Sequence, residues 1–303
     1  MIVREKMSAW EVLTTFKGSI LQKMLPKIVA MMVLAVGVVA LHRLSDTSVV
    51  QINPLALSLI AAPLAIVTGF RNSAAYDRWW EARKLLGLVV IDTRGLARQA
   101  GAYVSDEQLT KQIARRSIAF AMVLRDFLRG NPLGQDVEKY LQPVELQALE
   151  GNRNQPNRLL DFMSKDIAAA TAAGWLSPEM ARCLEDRVVS LSVGSASAER
   201  TKTTPMPFLY SLGVHRVAYV FCFLLPFGLV ENTGYWAPLL VGIISYIFFG
   251  LDAIGDEMEK PFSQSVHALP LDAIARVIEI NVLETLGETD LPAWPKAVGH
   301  VLQ

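Results

Sequence analysis

The stretch from Pro54 to Gly87, PLALSLIAAPLAIVTGFRNSAAYDRWWEARKLLG, narrows what this chain can fold into more than any other. Leu55 to Phe70 carries no charge and is long and apolar enough to enter a membrane as a helix. The next turns are abruptly polar and cationic, with Arg71, Arg78, Arg83 and Lys84, yet helical spacing continues. Ala62, Ile66 and Phe70 stand four apart, which places them on one face of that helix. Pro63 removes one backbone hydrogen bond within it and predicts a kink.

Three further uncharged runs fall outside this stretch. Ile28 to Leu41 precedes it and extends back through Met24 and Leu25; Val217 to Val230 and Tyr235 to Leu251 come late in the chain. The polar turns His42–Asn53 and Glu231–Gly234 join them in pairs, so the pattern predicts two hairpins and four transmembrane helices. Hydrophobic residues make up 52% of the 303, in keeping with a polytopic membrane protein. Lys23 and Lys27 precede the first run, Arg71 to Lys84 follow the second, and Arg200, Lys202 and Arg216 precede the third. The opposite turns hold only His42, Arg43, Asp46 and Glu231. An excess of Lys and Arg marks the cytoplasmic side, so both termini and the long middle segment are expected there. Tyr235 and Trp236 suit an interfacial aromatic belt.

Between the hairpins the chain reads as soluble and helical, over Val89–Ala100, Glu107–Arg129 and Asn157–Glu199, with turn-rich sequence from Gly130 to Asn157. No strand alternation appears, and the expected class is all-α. Residues 1–23 read as a short amphipathic helix with Trp10, Leu13, Phe16 and Ile20 on one side, suited to a membrane surface or to ordinary packing. The expected layout is a cytosolic amphipathic segment at 1–27 and a first transmembrane hairpin at 28–87. A cytosolic helical region follows at 88–202, then a second hairpin at 203–252 and a cytosolic helical end at 253–303.

The sequence argues against enzymatic chemistry. It has no Gly-rich phosphate loop, no HExxH pair and no GxSxG elbow. His42, His215, His267 and His300 lack ligand spacing, Cys183 and Cys222 lack zinc spacing, and no metal or cofactor is expected. Net charge is zero, which gives no pull toward nucleic acid. Asp252, Asp256, Glu257 and Glu259 cluster after the last apolar run; they read as a solvated or ion-paired helix face ahead of a metal site. Arg78, between Asp77 and the pair Trp79-Trp80, can stack and pair at once. With Glu81, these residues are expected to hold helices together and support assembly. No run carries a charge near its centre, which disfavours the secondary-transporter alternative.

The block GFRNSAAYDRWWEARK (Gly69–Lys84), with its Arg78-Trp79-Trp80 triplet, resembles the bacterial branch of the bestrophin family of pentameric membrane channels. Agreement continues in TPMPFLYSLGVHR (Thr204–Arg216), LLPFGLV (Leu224–Val230) and EKPF with the following LPLD (Glu259–Asp272). The resemblance implies a homopentamer in the bacterial inner membrane, with the second span of each subunit lining one central pore. Bestrophins have an apolar neck built from three positions four apart, and Ala62, Ile66 and Phe70 occupy the matching places. Ala62 is smaller than the residue usual there, which leaves Ile66 and Phe70 as the narrow rings. A second narrowing at the cytosolic exit matches Met180, with Glu179 one residue away as the alternative. The resemblance leans toward monovalent cations, sodium or potassium, with chloride as the alternative, and membrane lipids as the surroundings. In animal bestrophins a dense acidic run after the Pro-Phe pair clasps calcium. Here Pro261-Phe262 is followed by SQSVHA, without a carboxylate.

Overall fold

In the computed structural model all residues are described except 5–7, 9, 12–14, 17, 45–50 and 303. Leu13 of the expected amphipathic segment and most of the turn after Arg43 therefore lie outside the described residues. The helices are α1 (Leu21–Leu44), α2 (Pro54–Tyr103), α3 (Glu107–Arg129), α4 (Pro143–Glu150), α5 (Gln155–Ala172), α6 (Pro178–Thr203), α7 (Phe208–Thr233), α8 (Ala237–Met258) and α9 (Leu271–Thr285). Among the described residues there is no strand, only isolated bridges such as Ile2 to Val301. The all-α expectation holds.

α2 is 50 residues long and unbroken at Pro63 and Gly87. At about 1.5 Å per residue it spans roughly 75 Å, far more than a bilayer core. The separate helix expected over Val89–Ala100 is its continuation. One face of α2 is buried all along: Leu57, Leu64, Thr68, Arg71, Ala75, Ala82, Leu86, Val89, Thr93, Leu96 and Ala100 recur mostly at steps of three and four. That spacing keeps one face of the helix seated on its own chain. The helix expected over Asn157–Glu199 is instead two, α5 and α6. Gly174 stands between them at φ +75°, which glycine adopts without steric cost, and the Ser177 hydroxyl caps α6 by accepting from the Met180 N–H.

The chain divides into two compact units. The apolar one comprises Glu5–Trp79 and Pro205–Lys260. Here α1 packs on α7 and α8 around Ile28, Ala35, Leu57, Leu64, Phe221, Cys222, Val241 and Phe249. Phe221 meets Phe248 with ring centres 4.8 Å apart, and Tyr219 meets Phe249 at 5.0 Å. Those pairings are symmetric about the 3-10 turn Gly234–Trp236, so α7 and α8 form an antiparallel hairpin. Small residues let the helices close up: a Cβ on Gly228 would fall 2.2 Å from Leu57 Cδ1, and one on Gly242 would fall 2.9 Å from Met32 Sδ. Outward, Val33, Val36, Val220, Phe223, Ile243 and Ile247 are exposed. Among the described residues, three continuous segments are long and apolar enough to cross a membrane: Leu21–Leu44, Pro54–Tyr103 and Phe208–Met258, the last containing both α7 and α8.

The second unit comprises Met1–Arg4, Trp80–Thr204 and Pro261–Gln303. Its centre is α3, where Ile113, Ile118, Phe120, Met122 and Leu124 are buried against α5 and α9. Asp106 caps α3 by accepting from the Leu109 N–H at 2.7 Å, and Gly130 ends it at φ +72°. Among the described residues Cys183 is exposed, Cys222 is buried and both are free.

Candidate functional site

The two sides of α2 differ sharply where the uncharged run ends. Ala62, Ile66 and Phe70 lie on the face turned away from the chain's own core; Ile66 is 58% exposed and Phe70 67%. Farther along, helical spacing carries that face through Ser73, Asp77, Trp80, Lys84, Leu88, Ile91 and Arg98, all exposed. A folded chain does not leave such large apolar groups in water without a further partner or a non-aqueous neighbour.

The opposite side holds the most buried charge in the described residues. Arg71, one residue after Phe70, is 0% exposed. Its Nη1 donates to Asp252 Oδ1 at 2.9 Å and to the Asp252 carbonyl at 3.1 Å. Its Nη2 donates to Asp256 Oδ1 and lies 3.6 Å from Glu259 Oε2. Asp252 also takes His215, Nδ1 to Oδ2 at 2.7 Å, and His215 Nε2 stands 3.5 Å from Asp256 Oδ1. Next to it, the Asn72 amide donates to the Leu251 carbonyl at 2.9 Å. Glu257 pairs with Lys23, and Glu259 Oε1 accepts from the Met206 N–H at 3.2 Å. Gly255 makes room for this: a Cβ there would stand 2.6 Å from Asn72 Oδ1 and 3.0 Å from Arg71 Nη1. Burying an ion pair costs solvation, and only close, hydrogen-bonded partners offset that cost. Arg71 has three carboxylates and a carbonyl for the purpose. The acidic cluster is thus ion-paired, one of the two forms expected for it.

Arg78 is half-buried, and its Nε donates to the Glu259 carbonyl at 2.9 Å, joining α2 to the chain just past α8. Glu81 accepts from Arg200 at 2.8 Å, joining α2 to α6. Asp77 is exposed, Trp79 is half-buried and Trp80 is 47% exposed. Met180 and Glu179 both sit exposed in the first turn of α6. Hydrogen bonds from its own backbone and from Ser177 hold the Glu179 carboxyl below its usual range.

Sequence reasoning missed Arg71, which it counted only among charges flanking a span. The available signal was its place in the buried step pattern with Leu64, Thr68 and Ala75. His215 was read as an interfacial anchor, and only the fold brings it to Asp252 and Asp256. The ligand atoms of those three lie within 4.8 Å of one another.

A family model described as bacterial/fungal bestrophin protein matches residues 1–284. A voltage-dependent anion channel-forming protein of Mesorhizobium japonicum is 36% identical over 288 residues, covering 95% of this chain and 93% of its own. A protein of the same name from Escherichia coli is 34% identical over 293 residues, 97% of this chain and 96% of its own. Among solved structures, two variants of a bacterial bestrophin homologue from Klebsiella pneumoniae superpose with TM-scores of 0.84 and 0.85 at 30% identity. Each covers 88% of this chain and 100% of its own.

Proposed function

The chain belongs to the bacterial/fungal bestrophin family and is a membrane ion channel rather than an enzyme, and from that premise we propose a homopentamer with one central pore passing monovalent anions such as chloride. The observation that carries this reading is the exposed face of α2, whose apolar row Ala62, Ile66, Phe70 has no cover within its own chain. Five copies of α2 around an axis would give that row a common lumen. Ile66 and Phe70 then form the neck, and Met180 the narrowing at the cytosolic exit. An uncharged neck binds no ion strongly and gates by wetting and drying.

In this arrangement α1, the first part of α2, α7 and α8 each cross the inner membrane, with lipid on the exposed apolar faces of α1, α7 and α8. Both termini lie in the cytoplasm with the regions 88–202 and 253–303. Arg78, Trp79, Trp80 and Glu81 then lie just past the neck and hold helices in register, while Asp77 stands on the exposed face. The names of the curated relatives favour anions over the sodium or potassium that the family resemblance implied. Charge supports them: past the neck, Lys84 and Arg98 outnumber Asp77 on the exposed face. Fivefold repetition makes each of these a ring, so a difference of one residue becomes five charges.

The test is the reversal potential of the purified channel in a bilayer under an asymmetric sodium chloride gradient. It should move toward the chloride equilibrium value. A shift toward the sodium value would make the Asp77 ring the selective element and restore the cation reading.

A further inference from the structure

In the second unit, the loop ahead of α9 and the end of α3 border a polar cavity of about 280 Å³. Met1, Arg129, Ser263, Gln264, Ser265 and Leu269 line it, with no carboxylate among them. The Leu269 N–H donates to the Pro261 carbonyl at 2.9 Å, which closes the loop and holds its three polar side chains together.

Arg129 is short of partners. A guanidinium carries five N–H donors. This one makes a single hydrogen bond among the described residues, from Nη1 to Asp272 Oδ2, although its side chain is only 12% exposed. Its Nε is buried and has no partner. Arg116, in the same unit and 11% exposed, shows the usual condition: its guanidinium makes four bonds, to Glu145, Asp166 and the Phe162 carbonyl. Stripping a donor of water without replacing its hydrogen bond costs free energy, so a buried donor left open points to a group that fills it. The loop offers further donors. Ser263 Oγ accepts from the Ser265 N–H at 3.4 Å, and that bond does not use the hydroxyl proton. Gln264 spends one amide N–H on Asn131 at 3.3 Å and keeps the other.

We infer that this cavity binds a phosphate group, held by the Arg129 guanidinium, the Ser263 hydroxyl and the Gln264 amide. The planar fork of arginine suits two oxygens of an oxyanion at once, and hydroxyl and amide donors serve the others. Asp272 does not satisfy the arginine: it takes Nη1 and also stands 3.6 Å from Arg125 Nε, leaving Nε and Nη2 of Arg129 without an acceptor. A water occupies roughly 30 Å³ of the liquid, so the cavity is several waters in size and has room for a phosphate with a small group attached. The site draws on neither the pore nor the number of subunits, so its test stands apart from that of the channel.

The experiment is a calorimetric titration of the full chain in detergent with sodium phosphate, near neutral pH and at constant ionic strength. Sodium chloride balances the salt, so that general screening cancels. Wild type is compared with Arg129→Gln and Ser263→Ala, the second of which leaves the Arg129–Asp272 pair in place; gel filtration checks assembly of each. We expect saturable uptake of one phosphate per subunit. Affinity should fall roughly tenfold or more in Arg129→Gln and about threefold in Ser263→Ala, as losing a charged and a neutral hydrogen bond would give. A parallel titration with glycerol phosphate separates the sources: tighter binding than phosphate assigns the site to a phosphate ester, equal or weaker binding to the free ion. Equal phosphate affinity in wild type and both assembled variants would place the ion elsewhere and overturn the site. No phosphate uptake by the wild type would leave the cavity to water and likewise overturn it.

Discussion

Arg71 shows how much one side chain decides here. Replacing it by Met keeps the length and loses the charge, leaving Asp252 buried without its counter-ion. Breaking one side of a buried pair costs about 3–5 kcal/mol. We expect Arg71→Met to lower the thermal midpoint in detergent strongly, and Asp252→Asn added to it to recover part of the loss, because the uncompensated charge is then gone. Gly255→Ala should act in the same direction without touching a charge, since its Cβ would press on Arg71 Nη1 and Asn72 Oδ1. A Gly255→Ala protein that melts like wild type would mean the cluster yields easily. In the other unit, burial alone pushes Asp136 upward, but hydrogen bonds and charge from Arg125 outweigh it and hold the carboxyl below its ordinary value of 3.8. A lowered folded-state value means the stabilisation is present above pH 3.8 and is lost as pH falls through the folded value. Asp136→Asn should therefore flatten the acid side of the melting-temperature profile and leave its shape near neutrality alone.

At the scale of the element, α2 carries two functions on two faces. The face with Arg71 anchors it to its own chain; the face with Phe70 stays uncovered. Trimming the second face should leave folding intact. We expect Phe70→Ala or Ile66→Ala to raise conductance or open probability in bilayers, with the assembly peak unchanged in gel filtration. Unchanged currents from both assembled variants would remove the neck from this face. The segment after α8 makes a different prediction. Between Ser263 and Ala268 there is no carboxylate, and the Ser263 and Ser265 hydroxyls accept from the Ser265 and His267 N–H groups. Calcium wants about 6–8 oxygen ligands, several of them ionised. Currents should persist in a strong calcium chelator and remain the same at micromolar calcium; several-fold activation there would contradict it.

For the whole molecule, the proposed pore gives the exposed side of α2 further copies to face. Five subunits per particle are expected when the detergent-solubilised protein is weighed by light scattering or native mass spectrometry. Two subunits would leave the Phe70 face without a lumen and defeat the pore assignment. Met180 and Glu179 are both exposed in the first turn of α6, where further copies would give them a neighbour.

Much of this was legible in the residues alone. Apolar runs bounded by charge locate membrane helices because hydrocarbon tolerates neither charge nor unpaired backbone, and the four-residue step of Ala62, Ile66 and Phe70 follows from helix geometry. The helix Glu107–Arg129 could be read to the residue, since Asp106 and Gly130 are cap signals that act locally. Tertiary structure decided the rest. That α2 runs on to Tyr103 depends on a buried face that continues through Ala82, Val89 and Leu96, where local polarity suggested a change of element. That Arg71 lies inside while Phe70 lies outside is set by which side of α2 meets α8. Likewise, His215 finds Asp252 and Asp256 because α7 and α8 fold back on each other. Pairings between residues so far apart in sequence come from packing, and no local pattern encodes them.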